Sequence, residues 1–305
     1  MRKPIISLLG TALLAIAATA ANAQSNIHLY IYDTHTGVVT QATPPMDFEP
    51  YNASFSNDGK KLVHDLVIQG GPAQTLGVTD LATGKMTPLG VAGDNAHWSP
   101  NGKHIAYGNT SDYLEDPNVP VQLRVIPAAG GAPVSVRDWA VDPSWSNNSR
   151  RLAFSDWLNG YVGTVGLSGT ETRFDFDALG SFDGYGCNPN YSPDGKLIVY
   201  QRYECYFGAP GPLMVIPVNE QGQALGAPYP ITSGAFYAQT PSFSNDGKTI
   251  VFMGNASDPS HFEWGLYTVS VYGGDPVVLY DRPGRGEYDP AYSNNGRYVV
   301  FSGPE

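Results

Sequence analysis

The chain has 305 residues, a formal charge of −11 and two cysteines, with 35 glycines, 25 prolines, 19 tyrosines, 12 phenylalanines and 5 tryptophans. Its acidity, with no basic patch interleaved among the aromatics, leaves no source of affinity for a phosphate backbone and argues against a nucleic-acid binder. So many aromatics argue against disorder, and glycine and proline at this level read as punctuation between short strands.

Residues 1–23 read as a secretory signal. Arg2 and Lys3 form a basic start, an apolar run follows from Ile5 to about Ala18, and Ala21-Asn22-Ala23 predicts cleavage before Gln24. The run is shorter than the roughly 20 residues that a bilayer core requires. The expected product is soluble, periplasmic or secreted, and a single domain over residues 24–305.

The next stretch, His28 to Thr43, reads as a hairpin turning at Thr36-Gly37. A different hairpin follows and then recurs. Its anchor is an aromatic residue at Phe55, Trp98, Trp145, Tyr191, Phe243 and Tyr292, each followed by a serine: Ser56, Ser99, Ser146, Ser192, Ser244 and Ser293. The turn carries Asp58, Asn101, Asn148, Asp194, Asp246 and Asn295, and a cation closes it at Lys60, Lys103, Arg150, Lys196, Lys248 and Arg297. Successive serines lie 43 to 52 residues apart. Nine residues after the anchor stands Tyr107, Phe154, Tyr200, Phe252 or Phe301, with His64 the exception, and such alternating apolar residues should pack between neighbouring units. The serine and the Asp or Asn of the turn should bond its backbone, so the repeated serines, acids and lysines are scaffold and not six catalytic dyads.

A second hairpin follows each serine turn except the last, at Thr83-Gly84, Gly130-Gly131, Ser168-Gly169, Gln221-Gly222 and Gly273-Gly274. One unit is therefore four antiparallel strands in about 45 residues, the content of one propeller blade. The chain begins with a second hairpin lacking a first and stops after a first lacking a second. Joined, residues 27–42 and 289–303 would make a sixth blade. The expected fold is all-β: a six-bladed β-propeller closed by the N-terminal hairpin pairing with the C-terminal blade, leaving no long open edge.

The Ser-Pro-Asp-Gly-Lys run at Ser192–Lys196, degenerate in the other five copies, resembles the WD40-like repeats of TolB-type propellers. The resemblance spans residues 27–303 and implies an axial channel with the serine-turn hairpins innermost. TolB is a periplasmic partner in the Tol–Pal envelope system and carries an extra N-terminal domain, so the propeller alone is matched. On that geometry the residues three before each anchor, Asn52, Asn95, Asp142, Asn188, Thr240 and Asp289, form a polar ring at a channel mouth, with His97 beside it. Asp142 and Asp289 would face each other across the axis. Such hard oxygens suit Ca²⁺ or Mg²⁺, a small polar ligand or a peptide; the structural alternative is capping of strand entries by the Asx side chains.

Cys187 and Cys205 flank the fourth serine-turn hairpin, where a disulfide would stitch its open end. Loops on the channel-mouth face carry Phe48, Tyr51, Trp139, Trp157, Tyr203, Tyr206, Phe236, Tyr237, His261, Phe262, Trp264 and Tyr288, which could dock a protein segment or stack on sugars, while some plug gaps between blades. The histidines show no metal-ligand spacing, and no nucleophile elbow is present. The function expected is a non-catalytic, monomeric periplasmic propeller that binds a protein or peptide in the cell envelope. The alternative is a carbohydrate-binding or carbohydrate-active propeller.

Overall fold

The computed structural model describes residues 27–44, 48–68, 75–110, 116, 118–169, 171–173 (backbone only), 186–202, 210–255 and 264–305. The signal segment, Cys205, Tyr203, Tyr206, His261 and Phe262 lie outside these residues. Strands β1 (Ile27–Asp33) and β2 (Val39–Gln41) come first in the chain. Then come β3 (Phe48–Phe55), β4 (Lys61–Ile68), β5 (Thr75–Asp80) and β6 (Met86–Ala92), which form the first antiparallel four-stranded sheet. The second sheet holds β7 (Asp94–Trp98), β8 (His104–Asn109), β9 (Gln122–Pro127) and β10 (Val134–Asp138). In the third are β11 (Ala140–Trp145), β12 (Arg151–Asp156), β13 (Val162–Gly166) and β14 (Glu171–Arg173). The fourth comprises β15 (Gly186–Tyr191), β16 (Leu197–Arg202), β17 (Leu213–Pro217) and β18 (Tyr229–Pro230). The fifth is built from β19 (Tyr237–Phe243), β20 (Thr249–Asn255), β21 (Gly265–Ser270) and β22 (Val277–Tyr280). In the sixth, β23 (Tyr288–Tyr292) and β24 (Tyr298–Pro304) join β1 and β2 in the order β2-β1-β24-β23, with Ile27 opposite Pro304 and Asp33 opposite Tyr298. The fold is an all-β, six-bladed propeller.

Each serine turn is wired alike. In the fourth copy the Ser192 hydroxyl donates to Asp194 Oδ1 at 2.7 Å, and the same oxygen accepts the Lys196 N–H at 3.1 Å. Ser192 Oγ in turn accepts the Leu197 N–H at 2.9 Å, while Gly195 supplies the left-handed residue at φ 73°. The other five serines donate to their Asp or Asn over 2.7–2.9 Å. In this copy the cation's side chain adds little, since Lys196 Nζ is 3.9 Å from Asp194 and both side chains are exposed, whereas in the sixth copy Arg297 pairs with Asp33 at 2.8 Å. The sequence repeats because a polar tripod specifies the turn.

The core is divided among the junctions between blades. Val63 and Leu76 of the first blade pack against Ile105, Tyr107 and Ile126 of the second. Val199, Leu213 and Val215 of the fourth meet Phe243, Ile250 and Phe252 of the fifth. Leu29 and Val300 of the sixth meet Ala53, Phe55 and Leu62 of the first. Polar rivets supplement these contacts where a neighbour's strand N–H would otherwise be buried unpaired. Ser144 Oγ accepts the Tyr191 N–H at 2.9 Å, Asn190 Oδ1 that of Phe243 at 3.0 Å, and Ser242 Oγ that of Tyr292 at 3.2 Å. The small polar residues just before the anchor thus tie one blade to the next.

The axial cavity as candidate functional site

All six innermost strands are broken at the same place. Between the pairs Val141–Ser155 and Ser144–Ala153, two residues of β11, Asp142 and Pro143, lie opposite the single residue Phe154 of β12. The same two-against-one step occurs in β3, β7, β15, β19 and β23. Each is a β-bulge, and its first residue turns left-handed: Asn52 (φ 50°), Asn95 (50°), Asp142 (51°), Asn188 (49°), Thr240 (47°) and Asp289 (52°). Asn and Asp tolerate this conformation because their short polar side chains bond locally, whereas the β-branched Thr240 is strained there. The six ring positions are therefore mid-strand bulges, not strand-entry caps. The residue opposite each bulge is the bulky one nine after the anchor, so the packing between blades holds the bulge from behind.

The bulges aim the ring inward. Asn52, Asn95, Asp142, Asn188, Thr240, Asp289 and His97 all line one axial cavity, whose wall also holds the second bulge residues Pro143, Pro189, Pro241 and Pro290 and the polar side chains of Asn190 and Ser242. Its volume is about 60 Å³, room for a few waters or one compact polar group and too small for a sugar ring. Asn52 Nδ2 donates to Asp65 Oδ2 at 2.7 Å, Asn95 Nδ2 to Asp142 Oδ1 at 2.9 Å, and Asn188 Nδ2 to Gln201 Oε1 at 3.2 Å. Asp142 Oδ2 and Thr240 Oγ1 are buried with no partner at hydrogen-bond geometry.

Two acids that the ring pattern does not reveal stand behind it. Asp65, on β4, is 1% exposed; its Oδ2 also accepts the Asn95 N–H at 3.2 Å, and its Oδ1 is unpartnered. Asp94, at the start of β7, takes the Thr110 hydroxyl at 2.5 Å on Oδ2 and leaves Oδ1 unpartnered. Burial raises the pKa of all four carboxyls: Asp65 well above the usual range, Asp94 and Asp289 to about 7, and Asp142 upward. Mutual repulsion adds to this, Asp94 acting on Asp65 and Asp142 acting on both Asp94 and Asp289. Hydrogen bonds lower each only in part, and no lysine or arginine contributes to any of the four. By contrast, burial pushes His97 down to about 4, so the imidazole is neutral at physiological pH.

The remaining sequence candidates divide. His64 is a satisfied core histidine, with Nε2 2.8 Å from Thr79 Oγ1 and Nδ1 3.1 Å from the Asp65 carbonyl. Among the described residues no three His, Cys, Asp or Glu are grouped so as to hold a metal ion, which leaves the expected Asp142–Asp289 pair without a third such ligand. Cys187 is buried on β15, and no cysteine among the described residues is free. Loop aromatics are less available than expected. Trp264 is 2% exposed and meets Tyr237 edge to face, while Phe48, Tyr51, Trp139, Trp157, Phe236 and Tyr288 are half-buried.

No family model matches the sequence. A putative TolB from Agrobacterium tumefaciens superposes with a TM-score of 0.70 at 19% identity, covering 93% of this chain and 99% of that one. The fold is that of a TolB-like β-propeller. An oligogalacturonate lyase in complex with manganese matches with a TM-score of 0.55 at 15% identity, over 91% of this chain and 82% of that one. In sequence, dipeptidyl-peptidase 5 from Porphyromonas endodontalis is 27% identical over 136 residues, 43% of this chain and 19% of the peptidase. The matched stretch is thus about a fifth of that enzyme's length. No helix among the described residues is long and apolar enough to cross a membrane.

Proposed function

We propose that this chain is a non-catalytic, exported propeller that binds a segment of a protein partner in the cell envelope, with the axial cavity as its specificity pocket. One observation carries this reading: six strained or left-handed residues, one per blade, converge on a cavity that still holds unpartnered buried oxygens. Strain and unmet polar groups are tolerated where a ligand uses them. The fold neighbour named TolB and the basic-apolar-small leader at residues 1–23 support a periplasmic setting. A glycan-active alternative draws on the lyase neighbour and on Asp289, whose pKa near 7 would suit a general acid. The size of the cavity weighs against it.

The test is affinity capture from envelope extract beside a His97→Trp protein. Among the described residues His97 has no side-chain hydrogen-bond partner, so the larger ring fills the cavity without removing one. A defined protein should be retained by the wild type and lost with the variant at unchanged melting temperature. Equal retention by both would remove the pocket from the reading, and turnover of a glycan by the wild type would replace the reading.

The reading includes a Cys187–Cys205 disulfide, as an exported chain permits. For so short a loop it would contribute about 3 kcal/mol. Reductant should then lower the melting temperature by roughly 5 °C, and alkylation before reduction should leave both cysteines unlabelled. Two labelled thiols in the untreated protein would exclude the bond.

A further inference from the structure

Between its prolines and alanines, the cavity presents carboxyl and other polar oxygens. Asn52, Asn95 and Asn188 each give one amide N–H to a protein oxygen. Asp142 Oδ2 and Thr240 Oγ1 are unpartnered, the first on a residue only 7% exposed. Asp289 adds a further carboxyl, while donors come from the neutral imidazole of His97, the Asn190 amide and the Ser242 and Thr240 hydroxyls. Among the described residues, no cation offsets the acids on the wall, Asp142 from β11 and Asp289 from β23, or those behind it, Asp65 from β4 and Asp94 from β7. Buried carboxyls that no cation offsets are complementary to a guest that donates hydrogen bonds and carries positive charge, which lets them ionise.

We infer that the cavity receives a primary ammonium group, the tip of a lysine side chain on the bound partner segment. An ammonium has three donors and no acceptor, and it is compact enough for about 60 Å³. The planar fork of arginine is larger, and the calcium competition below separates an ammonium from a metal ion that would use the same oxygens. Asp142 Oδ2, Asp289 and Thr240 Oγ1 are the acceptors assigned to its three N–H bonds. Binding then displaces protons from the carboxyls, so the ammonium should bind more tightly at pH 8 than at pH 5.5. This inference rests on the partner-binding reading above and names what the partner presents.

Nα-acetyl-lysine methylamide and the neutral acetyl-norleucine methylamide are the probes, used at equal ionic strength on the intact mature protein. At about twentyfold over its dissociation constant, the lysine compound should raise the melting temperature at pH 8 by roughly 3 °C, saturably. Norleucine should give no rise. Asp142→Asn should abolish the effect, and the variant should fold, because Asn52, Asn95 and Asn188 hold the same left-handed bulge position elsewhere in the ring. The inference is overturned by no rise, by an equal rise from norleucine, by a rise that survives in Asp142→Asn, or by calcium chloride giving a saturable rise that the lysine compound does not compete. Capture of a partner that His97→Trp loses and Asp142→Asn retains would refute the ammonium alone. If the wild type captures no partner, the function reading falls while the titration still judges the cavity.

Discussion

At pH 8 the Asp94→Asn protein will melt roughly 7 °C above the wild type, and at pH 4 the two will melt within about a degree of each other. Asp94 is 9% exposed, and burial with repulsion from Asp142 raises its pKa from 3.8 to about 7. A raised carboxyl pKa means that the folded state binds the proton more tightly than the unfolded chain. Its contribution is therefore fully present below pH 3.8 and is lost as pH rises through about 7. A rise of that size corresponds to a loss of about 4 kcal/mol above that range. Asparagine keeps an oxygen for the Thr110 hydroxyl and cannot ionise, so it removes the loss. His64 and His97, both pushed down to about 4, act in the opposite sense, favouring the folded state as pH rises through 6.5. For that reason the gap between variant and wild type reads Asp94, and the wild-type slope alone does not. A gap constant from pH 4 to pH 8 would mean that Asp94 acts by packing or hydrogen bonding instead.

The residues that were legible in the sequence are those that repeat. The serine tripod recurs because it specifies each turn, and the residue nine after the anchor recurs because it backs each bulge. From these the blade count follows. The bulge itself is not legible, since strict alternation gives no sign of an inserted residue. Its trace is the pairing of an Asp or Asn with a proline that needs no N–H partner, at Asp142-Pro143, Asn188-Pro189 and Asp289-Pro290. Asp65 and Asp94 escaped because nothing repeats at their positions. Ten residues after the anchor the other blades carry Gly108, Ser155, Gln201, Met253 and Ser302, and the residues matching Asp94 are Tyr51, Val141, Cys187, Gln239 and Tyr288. A position free to vary in the scaffold gives no warning of charge in one copy. Asp142 and Asp289 were legible as the acids of the ring, whereas the part that Asp65 and Asp94 play came from the structure alone.

Leu29→Ala will cost about 3–4 kcal/mol and will loosen the sixth blade selectively. Leu29 is fully buried and packs with Val300 of β24 and with Ala53, Phe55 and Leu62 of the first blade. It thus joins three pieces that meet only if the ring closes: β1, the last strand of the chain, and the next blade round. Deleting a buried leucine side chain ordinarily costs about 2–5 kcal/mol, and this site cannot collapse readily because two sheets flank it. Polar contacts hold the same seam. Tyr30 stacks on Phe301 with centroids 5.5 Å apart, and the Arg282 guanidinium lies 4.9 Å over Tyr30 while pairing with buried Glu287 at 2.7 Å. Leu123→Ala on β9, equally buried but within one continuous stretch of chain, serves as the control. Hydrogen exchange should accelerate in β24 and β1 of the Leu29 variant far more than in its β8 and β9, because the chain connects β1 to β24 only through the rest of the ring. The control should show the reverse pattern. If both variants accelerate all six blades alike, β1 is no seam, and the propeller opens only as a whole.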